Sequence, residues 1–422
     1  MNPKPTALLF STVWPEPDSS AAGVRQLQWI RYFKRAGFEV VLSSPSKLRQ
    51  GADFGVTCIA LEMNRSSVGE ELIRLNPEVV MFDRFILEEQ FGHFVYQHCP
   101  NALMLLETED LHFVRRARGS LKENFLSVKN LSQNFYHTDT ALRETAAIER
   151  VDYSYLVSSF EEKLLSDEFS IGLNKVQWVP FSYETPIIEH SYQNLFSDRK
   201  NFCWVGNFRH APNVDGLRWF FKTIWPSLRK ALPDVSLHLY GAYPSAEVMG
   251  WSNVAAGIFS HGPAKTLADV FLNARVNLAP LRFGAGVKGK ILEGFRFGVP
   301  CVTTKVGSEG LLPNVGSSSD PTCEFIFPGL EANDPELFAR ACIELYQDEA
   351  LWTEKRLAMV KLLEDVYDET GLYPQVMKQI ESLLLQKKEG LLPSWNSKIL
   401  RHELMNSHKY FSKWIEAKET KA

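Results

Sequence analysis

The 422-residue sequence has no apolar run approaching the roughly 18 residues that a membrane-spanning helix needs. A helical membrane protein is therefore not expected. Its six cysteines, Cys58, Cys99, Cys203, Cys301, Cys323 and Cys342, lie far apart. That spacing argues against a disulfide framework or a zinc ribbon and predicts buried free thiols in a reducing compartment. No Asp-x-Asp occurs, and the ten histidines include no HExxH pair, so no metal is expected. A surplus of one charge is missing too. The 46 basic and 50 acidic residues leave a net charge of −4, which argues against nucleic acid as a partner. The start, MNPKPTALLFSTVW, has one lysine, a short apolar stretch and no small-residue cleavage site, and it reads as a first strand instead of a signal peptide. What is present is ordinary for a globular chain, 45% hydrophobic and 23% charged. At roughly 150 residues per domain the length suits two or three domains.

The N-terminal half alternates short apolar runs with longer amphipathic stretches. ALLFSTV reads as a strand, and a loop follows through Pro15, Pro17 and Gly23. Residues 24–35 read as a helix, with Leu27, Ile30 and Phe33 near helical spacing and Gly37 as a stop. EVVLSS, VTCIAL, EVVMFD, ALMLLE and YSYLVS repeat the strand signal. Strands alternating with helices predict a parallel sheet with right-handed crossovers. The pattern stops at Val179-Pro180 and restarts at Asn201. NFCWVG, SLHLYG, IFSHG, VNLAPL and PCVTT then read as strands, with helices over 214–231 and 267–273 and another from Lys288. The fold class is therefore α/β, with two Rossmann-like, doubly wound parallel-sheet domains in tandem. The expected division is 1–184, a linker over 185–200, 201–370, and C-terminal helices with a basic amphipathic tail over 371–422. In the tail, Leu400, Leu404, Phe411, Trp414 and Ile415 accompany Lys398, Arg401, Lys409, Lys413 and Lys418. Such a segment either docks on the protein or meets a membrane surface or partner.

Ligand sites in this topology lie at the carboxyl ends of the strands. The segment LAPLRFGAGVKGKILEGFRFGVP holds a strand, a loop with Gly284, Gly286 and Gly289, and a helix start. Free N–H groups and the helix dipole favour an anion there, and Lys288 and Lys290 add positive charge. Three phosphate ligands compete. Residues 284–289 match GxGxxG, but they sit far from a first βαβ unit and carry two lysines, which suits a dinucleotide poorly. They nearly match a P-loop, but Ile291 stands where Ser or Thr would hold Mg²⁺.

The third reading rests on three blocks. They are Phe202 to Asn213 (FCWVGNFRHAPN), Leu232-Pro233-Asp234 with Leu237 to Gly241, and Ala279 to Gly310, which includes Gly-Lys-Ile-Leu-Glu, Gly298-Val299-Pro300 and Val306-Gly307-Ser308-Glu309-Gly310. Together they resemble the donor domain of GT-B glycosyltransferases of the family 4-like group. That resemblance implies two domains facing across a cleft and a nucleotide sugar, UDP- or GDP-linked, as substrate, with no cofactor. It also implies transfer with retention to an acceptor hydroxyl. The family commonly has two glutamates eight positions apart at this helix. Glu293 matches the second, which holds the donor ribose, and Ala285 stands in place of the first. Where the family has Arg and Lys after the first strand, this chain has Asn207 and Pro212, so Arg209, Lys288, Lys290 and Arg282 are left to supply charge. The donor set implied is Gly206, Asn207, Arg209, Gly284, Gly286, Lys288, Lys290 and Glu293.

The N-terminal half then supplies the acceptor side. Ser19 to Arg25, with Gly23 and Arg25, resembles the small-residue loop placed against the sugar. Glu109, Asp110 and His112 follow directly after a strand, where this topology puts chemistry. They are the catalytic candidates together with Lys288, although Asp110 could equally cap the next helix. Asp83-Arg84 is a weaker candidate by the same position. The expected partners are a nucleotide-sugar donor and a glycan, lipid-linked glycan or protein acceptor. The expected place is the cytoplasm or the cytoplasmic face of a membrane. A nucleotide-sugar epimerase, or a non-catalytic nucleotide-binding protein on a degenerate scaffold, are the competing functions.

Overall fold

The computed structural model of the chain describes residues 4–48, 53–121, 132, 134–184, 195–314 and 325–419. Cys323 and positions 185–194 of the expected linker lie outside the described residues. Seven strands form the first sheet: β1 (Thr6–Phe10), β2 (Glu39–Ser44), β3 (Thr57–Ala60), β4 (Val79–Asp83), β5 (Leu103–Glu107), β6 (Tyr153–Leu156) and β7 (Val176–Trp178). Their order is β3-β2-β1-β4-β5-β6-β7. Six form the second: β8 (Lys200–Val205), β9 (Leu237–Tyr240), β10 (Ile258–Gly262), β11 (Ala274–Ala279), β12 (Cys301–Thr303) and β13 (Leu330–Glu331), in the order β10-β9-β8-β11-β12-β13. Every pairing is parallel. The central strands are continuous apolar runs because helices cover both their faces, and Ala7 to Phe10 and Leu103 to Leu106 are buried throughout. Strand order reverses between β1 and β4 and between β8 and β11. A crevice opens at the carboxyl ends of the strands at such switch points.

Two helices differ from the sequence reading. The first runs Ala21–Arg35, three residues earlier than periodicity predicts. Ser20 caps it, accepting the N–H of Gly23 at 3.1 Å, so the small-residue loop is the helix's first turn. The helix expected over 214–231 is two, Ala211–Thr223 and Trp225–Ala231. Pro226 has no N–H to carry the ladder across the break.

After the second sheet come helices Pro335–Gln347, Glu349–Val366, Glu369–Lys388 and Trp395–Glu419. The last two return to the first sheet. Val376, Met377, Ile380 and Leu383 pack into its core beside Ala7, Leu9 and Trp29, and Leu404 joins the cluster on the other face. A buried carboxylate fastens them there. Asp152 accepts from Met104 N–H (2.9 Å), Lys387 Nζ (2.9 Å) and Arg401 Nη2 (2.8 Å). Asp152→Ala leaves both cations and an amide without their acceptor. It should destabilise the chain by about 3–5 kcal/mol, read as a lower urea midpoint. An unchanged midpoint would show that the charge network holds nothing in place.

Candidate active site

The two switch points face each other across a cleft of about 930 Å³. Glu109, Asp110 and His112 line it from the first sheet. Gly206, Asn207, Arg209, Gly284, Gly286, Lys288, Lys290 and Glu293 line it from the second. Gly23 and Arg25 are not among its lining residues. Arg25 is fully buried and turned to the sheet, donating from Nε to Glu107 at 2.9 Å and from Nη1 to the carbonyl of Pro180 at 2.8 Å. A Cβ on Gly23 would stand 2.5 Å from the backbone of Glu16, so that glycine serves the packing of the loop on its helix. Arg282 is likewise committed elsewhere, donating to Asp215 at 2.8 Å.

On the first-sheet side, the turn after β5 puts Glu109 in the left-handed region (φ 56°). Burial pushes its carboxyl up to about 8, against the pull of Arg84. Its Oε1 has no hydrogen-bond partner among the described residues. Burial also acts on Asp110, but Arg115 and His112 outweigh it and hold its carboxyl below the usual range. Asp110 is ion-paired to Arg115, and the Nε2 of His112 lies 3.8 Å from it. Burial drives His112 down to about 4 despite Asp110, so the imidazole is neutral near pH 7. Asp110 does not cap the helix His112–Leu121. Glu144 does, accepting the N–H groups of His112 (2.9 Å) and Phe113 (2.7 Å). Arg84, also left-handed (φ 68°), joins the ends of β1 and β4 by donating to Asp83 (2.9 Å) and Thr12 (3.2 Å).

On the second-sheet side, the helix expected from Lys288 is Gly289–Arg296, with Lys288 at the capping position. Lys288 Nζ donates to the carbonyl of Gly286 at 2.6 Å. Lys290 Nζ donates to Asn213 Oδ1 at 2.6 Å and sits 4.4 Å above the Trp204 ring. Neither has a carboxylate at ion-pair distance among the described residues. Burial pushes Lys288 down to about 8 and Lys290 to about 7. Arg209 stacks on the Tyr243 ring at 3.9 Å. Glu293 is ion-paired to Arg296 at 2.7 Å, and burial raises its carboxyl against that pull.

The glycines of the loop sit at the contact between the two halves. A Cβ on Gly286 (φ 63°) would lie 2.7 Å from the Cβ of Asp110, and one on Gly289 would lie 3.0 Å from that of Ala21. The bare backbone is what lets the two halves close on each other. Glu161 ties this contact, because its Oε1 accepts the N–H of Gly286 (2.7 Å) and of Leu111 (3.2 Å). Arg118 adds a two-pronged pair with Glu309 (2.6 and 3.0 Å) and a bond to the carbonyl of Gly284 (3.0 Å).

Sequence reasoning missed Glu144, Glu161, Asn213 and the Arg118–Glu309 pair as parts of this site. Ser158-x-x-Glu161 carries the pattern of a helix cap, and it gives no sign that the glutamate reaches across the cleft. Asn213 ends the block Phe202 to Asn213, so its neighbourhood was legible although its role was not.

Residues 199–348 match the family model described as glycosyl transferases group 1. Over 230 residues the chain is 24% identical to an uncharacterized 44.6 kDa protein in the cps region of Klebsiella pneumoniae, covering 53% of this chain. The match spans 56% of that relative, little more than half its length. Among solved structures, sucrose-phosphate synthase from Thermosynechococcus elongatus superposes with a TM-score of 0.63 at 15% identity, over 91% of this chain and 100% of that one. A pneumococcal O-GlcNAc transferase in complex with UDP and GlcNAc gives 0.61 at 12% identity, over 90% and 99%. The second-sheet half of the chain, residues 199–348, thus carries the group 1 glycosyltransferase match, and the two facing parallel sheets give the whole chain the GT-B fold of these solved structures.

Proposed function

We propose that the chain transfers a sugar from a nucleoside-diphosphate sugar to an acceptor hydroxyl, with retention. The observation that carries this is the pair of lysines at the glycine loop, Lys288 buried and Lys290 half-buried, neither with a carboxylate at ion-pair distance among the described residues. Burying ammonium groups is unfavourable unless an anion joins them. A diphosphate would do so, and its charge grows as the sugar leaves. UDP heads the candidates because the pneumococcal structure holds it. Opposite the lysines, His112 and Asp110 orient the sugar or acceptor, and the raised carboxyl of Glu109 is suited to exchange a proton near neutral pH. Glu293 would meet the ribose. The relative in a cps region supports an acceptor in polysaccharide assembly. Retention and the ribose role rest on the family resemblance.

Calorimetric titration with UDP, GDP and ADP, without added metal, tests this. One of them should bind. Because an anionic ligand favours charged lysine, binding above pH 7 should take up protons, and affinity should fall by up to about tenfold per pH unit as Lys290 loses its proton. Turnover of the matching sugar conjugate then separates transfer from epimerisation, which interconverts the sugar alone. Binding of none of the three would sink the proposal, and binding without any turnover would favour a non-catalytic scaffold.

A further inference from the structure

The helix Trp395–Glu419 covers the first sheet's helices with one face and leaves the other bare. Inward, Ser397, Arg401, Leu404 and Ser412 are buried. Outward, Trp395, Ile399, Tyr410 and Trp414 recur at helical spacing, and Phe411 stacks beside Trp414. Trp395 is 74% exposed, Tyr410 68%, Trp414 57% and Phe411 56%. Soluble surfaces seldom gather aromatics so openly.

The acidic and basic groups of this helix differ in their partners. Glu416 accepts from the N–H and hydroxyl of Ser66 (3.1 and 2.9 Å), and Glu419 pairs with Arg65 at 3.0 Å. Lys398, Lys413 and Lys418 are exposed, with no carboxylate at ion-pair distance among the described residues. Glu403 faces outward, 3.5 Å from the Nδ1 of His402. The open side of the helix therefore combines Trp, Tyr and Phe with lysines that no carboxylate among the described residues neutralises. Protein–protein interface cores are depleted in lysine. Trp and Tyr instead favour the headgroup level of a bilayer, where lysine stems lie along the surface and their ammonium groups meet anionic lipid. No helix of the described residues is long and apolar enough to cross a membrane, so the contact would be with its surface.

We propose that the outer face of the helix Trp395–Glu419 docks the protein on an anionic lipid bilayer. The inference stands apart from the reaction proposed above. If both hold, the acceptor-side half is the one brought to the lipid.

Flotation with vesicles of phosphatidylcholine, alone or mixed with phosphatidylglycerol, tests it on the full chain. The protein should float with the mixed vesicles and far less with phosphatidylcholine alone, and high salt should weaken the association. The double variant Phe411→Ser, Trp414→Ser should lose about tenfold in partitioning while keeping the wild-type melting temperature. Failure of the wild type to float with mixed vesicles would overturn the proposal. So would undiminished flotation of the double variant, or a wild-type dimer in light scattering that the same substitutions turn into a monomer.

Discussion

Lys288→Ala is expected to lower kcat/KM by about two to three orders of magnitude while the protein stays folded. The side chain is buried at the mouth of the glycine loop, and its hydrogen bond goes to the carbonyl of Gly286. Burial already holds its ammonium group down to about 8, so removing it relieves a desolvation cost in the unliganded protein. The melting temperature should therefore change little. In the proposed reaction what is lost is a charge beside the leaving diphosphate, and such preorganised charge acts most strongly away from water. Steady-state kinetics beside a thermal melt checks both halves. Unchanged turnover would remove Lys288 from the mechanism. A collapsed melt would mean that the lysine serves the fold.

Gly286→Ala should be nearly as severe, for a different reason. The residue has φ 63°, a region an alanine enters only with strain, and the new Cβ would lie 2.7 Å from the Cβ of Asp110 on the opposite half. The loop cannot keep its place against Asp110, so the bond from its N–H to Glu161 lengthens or breaks. Donor and acceptor groups then part by an ångström or so, a displacement that costs about a hundredfold in rate. Nucleotide binding should suffer less than kcat, because the lysines remain. A variant with wild-type kcat would mean that this contact does not set the reacting geometry. Comparing UDP affinity with kcat separates it from Lys288→Ala, in which the anion's own partner is gone.

The Asp110 region shows how far local reasoning reaches. That the turn after β5 lines the cleft was legible because three polar side chains gather there at the carboxyl end of a buried apolar strand, where this topology opens its crevice. The role of each member was not. Asp110 reads equally well as a helix cap, and only the fold brings Glu144, more than thirty residues away, to take that place. Arg25 illustrates the converse. Its position in a small-residue turn points to a ligand, but Glu107 and the carbonyl of Pro180 draw it into the core.

The sequence by itself determined the alternation of strands and helices, the two-sheet class and the lysine-bearing glycine loop. Each of these follows from periodicity and backbone chemistry within a few neighbouring residues. It also marked the last helix as amphipathic. Tertiary structure alone decided which groups meet across the cleft. Glu161 on Gly286, Arg118 on Glu309, and the bare backbones of Gly286 and Gly289 against Asp110 and Ala21 join segments more than a hundred residues apart. It decided, too, which face of the last helix Asp152 and Arg65 hold inward and which is left open. Such pairings depend on how two sheets are placed in space, and no local pattern encodes that.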